Sequence, residues 1–355
     1  YYTRIKNGDG FEERLIGSLI ESPKNKEKIL DNSNRGIAWW GEMGGQMIGS
    51  KQMLNPITNH QDIEEFLKIF NLQPYEDQET GTTIIIPYLN SSVLRDYEVD
   101  LRNDQVGFPW DYKLEEAILT SVGRWYSPRI NNKDYNLETR NSVLECKING
   151  QLIDVEHILP AFQTFRMLYT SALLGNSKKE SILVKPIFVP RSALKNGKTT
   201  PIGHIAFTTV DEKDMKMLPP DYFPSPIECV EGKNDNNGND GFVSIIAYSR
   251  KPGMIVQYSV NGDWFKGQLD EKENTSLLGF FVPNSKGELT KNYVQRGYNT
   301  LEQYLRASEN ADHAEWDDET GFTLIKRIKS YVSTSINETL NSNNQDNSSS
   351  FSLLK

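Results

Sequence analysis

Apolar positions along the chain recur with two periods, and the switches between them divide it into strands and helices. At the start, YYTRIK and FEERLIGSLI alternate around Asn7-Gly8-Asp9-Gly10, which predicts two strands joined by a hairpin turn. Residues 23–50 are polar and then glycine-rich, with Trp39 and Trp40 between, and read as a loop or lid. Ile63, Phe66, Leu67 and Phe70 then share one helical face, with Asn59 placed to cap it. In TGTTIIIPYL, residues 80–89, the run Ile84-Ile85-Ile86 predicts a strand buried on both faces and entered through a Gly-Thr-Thr turn.

A second helix is predicted from near Pro109, with Leu114, Ala117, Ile118, Ser121, Val122 and Trp125 on one face. Asn149-Gly150, between two alternating runs, is the dipeptide a type I′ hairpin turn prefers. Residues 154–175 predict a third helix, closed by Gly175 as its C-terminal cap. SILVKPIFV, IGHIAFTTV, FVSIIAYSR, KPGMIVQYSV and LLGFFVPN read as strands, the last three forming a small sheet. Further helices are expected from Leu301 and over Thr323–Leu340, whereas the Asn/Ser-rich residues 341–355 are expected to lack fixed structure. The run 234–241 reads as an exposed loop, and no internal repeat is evident. The chain is therefore expected to be mixed α/β (α+β), in two parts.

Length supports the division, because 355 residues exceed one ordinary core. Charge changes the picture in one respect. With 39 Lys plus Arg against 48 Asp plus Glu, the net charge of −9 argues against broad nucleic-acid binding and leaves room only for a local basic patch. No apolar run approaches the ~20 residues of a membrane span, and no signal-peptide pattern opens the chain. Cys146 and Cys229 stand far apart, as reduced thiols of a cytoplasmic protein would. His60, His157, His204 and His313 are scattered, which argues against a histidine metal site. Because Tyr1 opens a strand-like run without an initiator Met, the sequence reads as a piece of a longer chain.

The usual catalytic signatures are missing: there is no Gly-x-Ser-x-Gly, no P-loop and no His-Glu-x-x-His. Three places carry candidate chemistry. Gly81, Thr82 and Thr83 are either an ordinary turn or a point where a ring or phosphate approaches the backbone beside hydroxyls that donate and accept. Arg250 and Lys251, in YSRKPGMIV, are either a solvated hairpin tip or cations turned onto an anionic ligand. The glycines of 41–49 can nest an anion, although Met43 and Met47 beside two tryptophans point to packing or a partner surface. His313 near acidic residues and Trp316 reads as a helix end with a packed Trp, and Trp110 and Tyr112 as core contacts at a helix start.

The order of these pieces resembles the GHKL superfamily, the ATPases of the DNA gyrase B subunit, MutL, the ninety-kilodalton heat-shock chaperone and the Morc proteins. TGTTIIIPYL looks like the family's Gly-Thr strand beside the adenine pocket, and YSRKPGMIV like the transducer loop that carries a cation to the γ-phosphate. SRKPGM and LEQYLRASENADHAEW are similar to blocks in bacterial Morc-like or chaperone-like ATP-binding proteins, some associated with anti-phage defence. The resemblance implies the remainder of a Bergerat-type α/β sandwich over residues 1–95. A ribosomal S5 domain 2-like transducer would follow over 96–340, and then the tail 341–355. It implies ATP and Mg²⁺ in the full-length protein, with Gly81, Thr82 and Thr83 by the adenine and Lys251 or Arg250 at the γ-phosphate. The family's metal-binding Asn and its Asp-x-Gly-x-Gly motif have no counterpart here, so the chain would begin after the lid and not turn over ATP alone. A homodimer or a protein partner is expected. The rival reading is a non-catalytic scaffold of a defence or DNA-processing complex; a nucleic-acid clamp is a third, unsupported by net charge.

Overall fold

The computed structural model describes residues 1–20, 37–48, 51–87, 113–134, 143–189, 193–211, 215, 243–251, 253–260, 275–309 and 316–352. The chain divides into two compact units, Tyr1–Asn90 and Ser91–Lys355. Among the described residues no helix is long and apolar enough to cross a membrane. Cys229, Trp110, Tyr112, Pro252, His313 and the run 234–241 lie outside the described residues.

In the first unit, strands β1 (Tyr2–Asn7) and β2 (Gly10–Leu15) form the expected hairpin, with Gly8 at a φ of +61° in the turn. Strand β7 (Gly81–Thr83) pairs with the other edge of β1. Helix α1 (His60–Ile69) is capped as predicted: the Asn59 side chain accepts from the amides of Gln61 and Asp62, at 2.9 and 3.2 Å. Its Ile63 and Leu67 are fully buried with Tyr2 and Leu15. Each such side chain contributes roughly 1.5–3 kcal/mol of apolar burial.

Two expectations fail in this unit. The glycine-rich stretch is not a loop: β3 (Gly17–Ile20) pairs with β4 (Ile37–Trp40), and β5 (Glu42–Ile48) with β6 (Lys51–Asn55). Gly44 serves that pairing, because a Cβ there would lie 2.9 Å from the Met53 carbonyl oxygen. Nor do the isoleucines form a doubly buried strand. Tyr2 pairs with Thr83 and the ladder ends there, leaving Ile84 61% and Ile86 66% exposed while Ile85 alone packs on the core.

The second unit is built on a five-stranded sheet of β10 (Leu183–Ile187), β11 (Gly203–Asp211), β12 (Val243–Arg250), β13 (Met254–Val260) and β14 (Thr275–Pro283). Their order is β10-β11-β14-β12-β13, with β12 and β14 parallel and the other neighbours antiparallel. Successive strand residues point to opposite faces. Leu278 and Phe280 accordingly join a core under α2 (Leu114–Tyr126) and α3 (Pro160–Leu174), while Leu277 and Phe281 join one with α5 (Leu301–Ala307) and α6 (Leu324–Ser352). That double burial explains the nearly unbroken apolar run LLGFFV. A short helix, α4 (Lys291–Val294), completes six helices among the described residues, a mixed α/β (α+β) architecture.

The β8 (Lys147–Ile148) and β9 (Gln151–Leu152) hairpin turns at Asn149 and Gly150, with φ of +49° and +80° as a type I′ turn requires. Gly175 caps α3 at φ +71°. Helix α2 keeps Val122 and Trp125 of its predicted face on the core, but Leu119 packs there too and Ile118 is 40% exposed. Gly123 allows this, since a Cβ would stand 3.0 Å from the Phe162 ring. Helix α6 runs to Ser352 instead of ending at Leu340. Once a helix is nucleated, each further Asn or Ser costs only about 0.5 kcal/mol relative to Ala. Trp316 is buried against Tyr248, their ring centroids 6.4 Å apart.

Candidate functional site

Strand register assembles one end of the large sheet. Because β12 and β14 run parallel, Tyr248 lies beside Phe281 and both strands finish together. β11 runs the other way and starts there, with Gly203 opposite Pro283 and His204 opposite Val282. The last two turns of α3 cover this end with Tyr169, Ala172 and Leu173, closing a cavity of ≈ 400 Å³. That volume suits a small ligand, and the carboxyl ends of parallel strands are where open α/β sheets place their ligands.

Arg250 and Lys251 both line this cavity. The turn that carries them is closed by the Gly253 amide donating to the Arg250 carbonyl at 2.7 Å. Gly253 has φ +95°, and a Cβ there would meet the Tyr169 hydroxyl at 2.7 Å, so only glycine lets the turn close over that ring.

The two cations differ in state. The Arg250 guanidinium ion-pairs through Nε with Glu309 Oε2 and through Nη2 with Glu309 Oε1 at 3.3 Å, and it donates from Nη1 to the Lys251 carbonyl at 2.9 Å. Lys251 extends an exposed side chain, while its backbone amide donates to Glu302 Oε2 at 3.2 Å. The same carboxylate oxygen accepts from the Ser285 hydroxyl at 3.1 Å. Thus Lys251, an exposed residue of the cavity lining, is held at its amide by Glu302 and at its carbonyl by Arg250. Burial pushes the Glu302 carboxyl above its ordinary value, and the bonds from Lys251 and Ser285 reverse only part of that.

His204, Ser249 and Lys286 also line the cavity, as do Asn284 and Ser285. His204 is half-buried, and burial lowers its pKa, so the imidazole is neutral at neutral pH. It lies against Gly175, where a Cβ would stand 3.3 Å from Nε2. The Ser249 hydroxyl is buried and has no hydrogen-bond partner among the described residues. Lys286 is exposed.

Gly81, Thr82 and Thr83 belong to the first unit, and Arg250 and Lys251 to the second. A Cβ on Gly81 would lie 2.9 Å from Tyr75 Cζ and Oη. Thr83 donates to the Tyr75 hydroxyl at 3.0 Å, and the Thr82 and Thr3 hydroxyls are 3.1 Å apart. Beside them Tyr2 donates to Glu13, whose other oxygen lies 2.6 Å from His60 Nδ1. Burial and then the Glu13 bond push the Tyr2 phenol up to about 12. Among the described residues no group of three or more His, Cys, Asp or Glu side chains is placed to hold a metal ion.

Sequence reasoning reached Arg250 and Lys251 and missed His204, Ser249, Lys286, Glu302 and Glu309. Glu302 and Glu309 lie inside LEQYLRASENADHAEW, a stretch whose similarity signalled kinship without a role. No family model, curated protein or solved structure matches the chain.

Proposed function

We propose that this chain is the C-terminal portion of a GHKL-type ATPase, one that couples ATP binding and hydrolysis to conformational switching. On this reading the first unit is the remainder of a Bergerat-type sandwich, with Gly81, Thr82 and Thr83 bordering the adenine. The second is an S5-like transducer. Lys251 is the cation presented to the γ-phosphate, and Arg250, bound to Glu309 and to the Lys251 carbonyl, positions it. ATP and Mg²⁺ bind to the full-length protein mostly through residues outside this chain. A cation fixed where charge grows contributes about 2.7–4 kcal/mol to the transition state. The full-length protein acts in the cytoplasm, in bacterial anti-phage defence.

The observation that carries the reading is the fixed backbone of Lys251, gripped at both its amide and its carbonyl while its ammonium stays exposed. A solvated hairpin tip needs no such grip. Partner contact belongs to the same reading, as a homodimer or with another protein: Trp39 is 56% and Met43 67% exposed, the kind of apolar surface that proteins use to meet one another.

The reading requires the natural reading frame upstream of Tyr1 to encode a helix with Glu-x-x-x-Asn followed by Asp-x-Gly-x-Gly. Sequencing that frame and finding neither motif would transfer the case to a non-catalytic scaffold.

A further inference from the structure

We propose that the cavity at the end of the large sheet is a binding site for a small organic anion, a phosphate monoester or carboxylate with an apolar body. Its lining includes the polar side chains of His204, Ser249, Arg250, Lys251, Ser285 and Lys286, and no carboxylate is among the described lining residues. Glu302 and Glu309, which touch lining residues, are both committed, one to Lys251 and Ser285, the other to Arg250. Two exposed lysines, Lys251 and Lys286, therefore belong to the lining of a cavity that has no carboxylate among its described lining residues. Such a concave, low-dielectric setting strengthens attraction for a negative charge.

The buried wall adds a second, independent argument. Ser249 is 1% exposed and its hydroxyl is unpaired among the described residues, although buried hydroxyls are nearly always bonded. A ligand oxygen in the cavity supplies that partner. Ala172, Leu173, Val282 and Pro283 make the rest of the lining largely apolar, which favours an organic body over a bare inorganic ion. Glycines keep the space open: Gly253 brings the turn over Tyr169, and Gly175 admits the His204 ring.

All these residues lie in the second unit, so the site stands without the ATPase reading. Its test is calorimetric titration of the 355-residue chain, without nucleotide, using phenyl phosphate, benzoate and inorganic phosphate. One saturable site is expected for phenyl phosphate or benzoate, at least about tenfold tighter than inorganic phosphate. Whichever of the two binds tighter identifies the headgroup. Lys286→Gln should weaken binding roughly tenfold and Ser249→Ala about fivefold, the sizes of a charged and a neutral hydrogen bond. Both variants should fold, since one side chain is exposed and the other loses only an unpaired hydroxyl. Absence of saturable binding by all three probes would overturn the proposal, as would affinities that neither variant changes, or equal affinity for inorganic phosphate and phenyl phosphate. ATP turnover is not read in this titration, so its failure leaves the ATPase proposal untouched.

Discussion

Arg250 and Glu309 form an ion pair whose side chains are 11% and 3% exposed, and the same guanidinium caps the carbonyl of Lys251 at 2.9 Å. Removing one member of a buried ion pair withdraws the opposite charge that offsets the other's desolvation, which costs about 3–5 kcal/mol. Arg250→Ala should therefore lower unfolding stability by an amount of that order. Lys251→Ala, at an exposed side chain, should stay within about 0.5 kcal/mol. Urea titration of the two variants measures the split, and equal losses would mean that the two cations are not in different states.

The burial of Glu302 beneath Lys251 and Ser285 predicts a pH dependence. Burial raises the Glu302 carboxyl above its ordinary value of 4.5, so the folded chain binds this proton more tightly than the unfolded one. The stability it contributes is complete below the unfolded value and is lost as pH rises through the folded value. Glu302→Gln should flatten that part of the stability profile, measured by urea midpoints between about pH 4 and 7. A variant that keeps the wild-type slope would place the titration elsewhere.

Gly81 fits closely against Tyr75, and a methyl group there would lie 2.9 Å from the ring. Gly81→Ala should destabilise the first unit by roughly 1–3 kcal/mol, the usual cost of overpacking. Thr82→Val loses one bond between exposed hydroxyls and should change little, within about 0.5 kcal/mol. Thermal unfolding followed by tryptophan fluorescence compares them, and an innocuous Gly81→Ala would show that Tyr75 yields.

What the sequence made legible depended on how local the physics was. The Asn59 cap, the Asn149-Gly150 turn and the Gly175 cap are short-range devices, and each appears where the residues place it. The isoleucine strand failed because its burial depends on partners distant in sequence: β1 pairs only as far as Thr83, and Ile84 and Ile86 face outward. The face of α2 was legible in part: Val122 and Trp125 pack on the core, whereas Leu119 packs there too and Ile118 is exposed, because Gly123, not a larger apolar residue, lies against Phe162 of α3. At the cavity, Arg250-Lys251 was legible as charge on a turn. Glu309, which distinguishes the two cations, lies 59 residues away, and only the fold brings it there.

On the ATPase proposal, Lys251 is the cation for the terminal phosphate and Arg250 its support. The most direct measurement is steady-state ATP hydrolysis by the full-length protein, wild type against Lys251→Ala, with folding of the variant confirmed by its urea midpoint. The account predicts a loss of kcat of about a hundredfold or more in a fully folded variant, the size seen when one transition-state charge stabiliser is removed. Unchanged turnover by Lys251→Ala would contradict it.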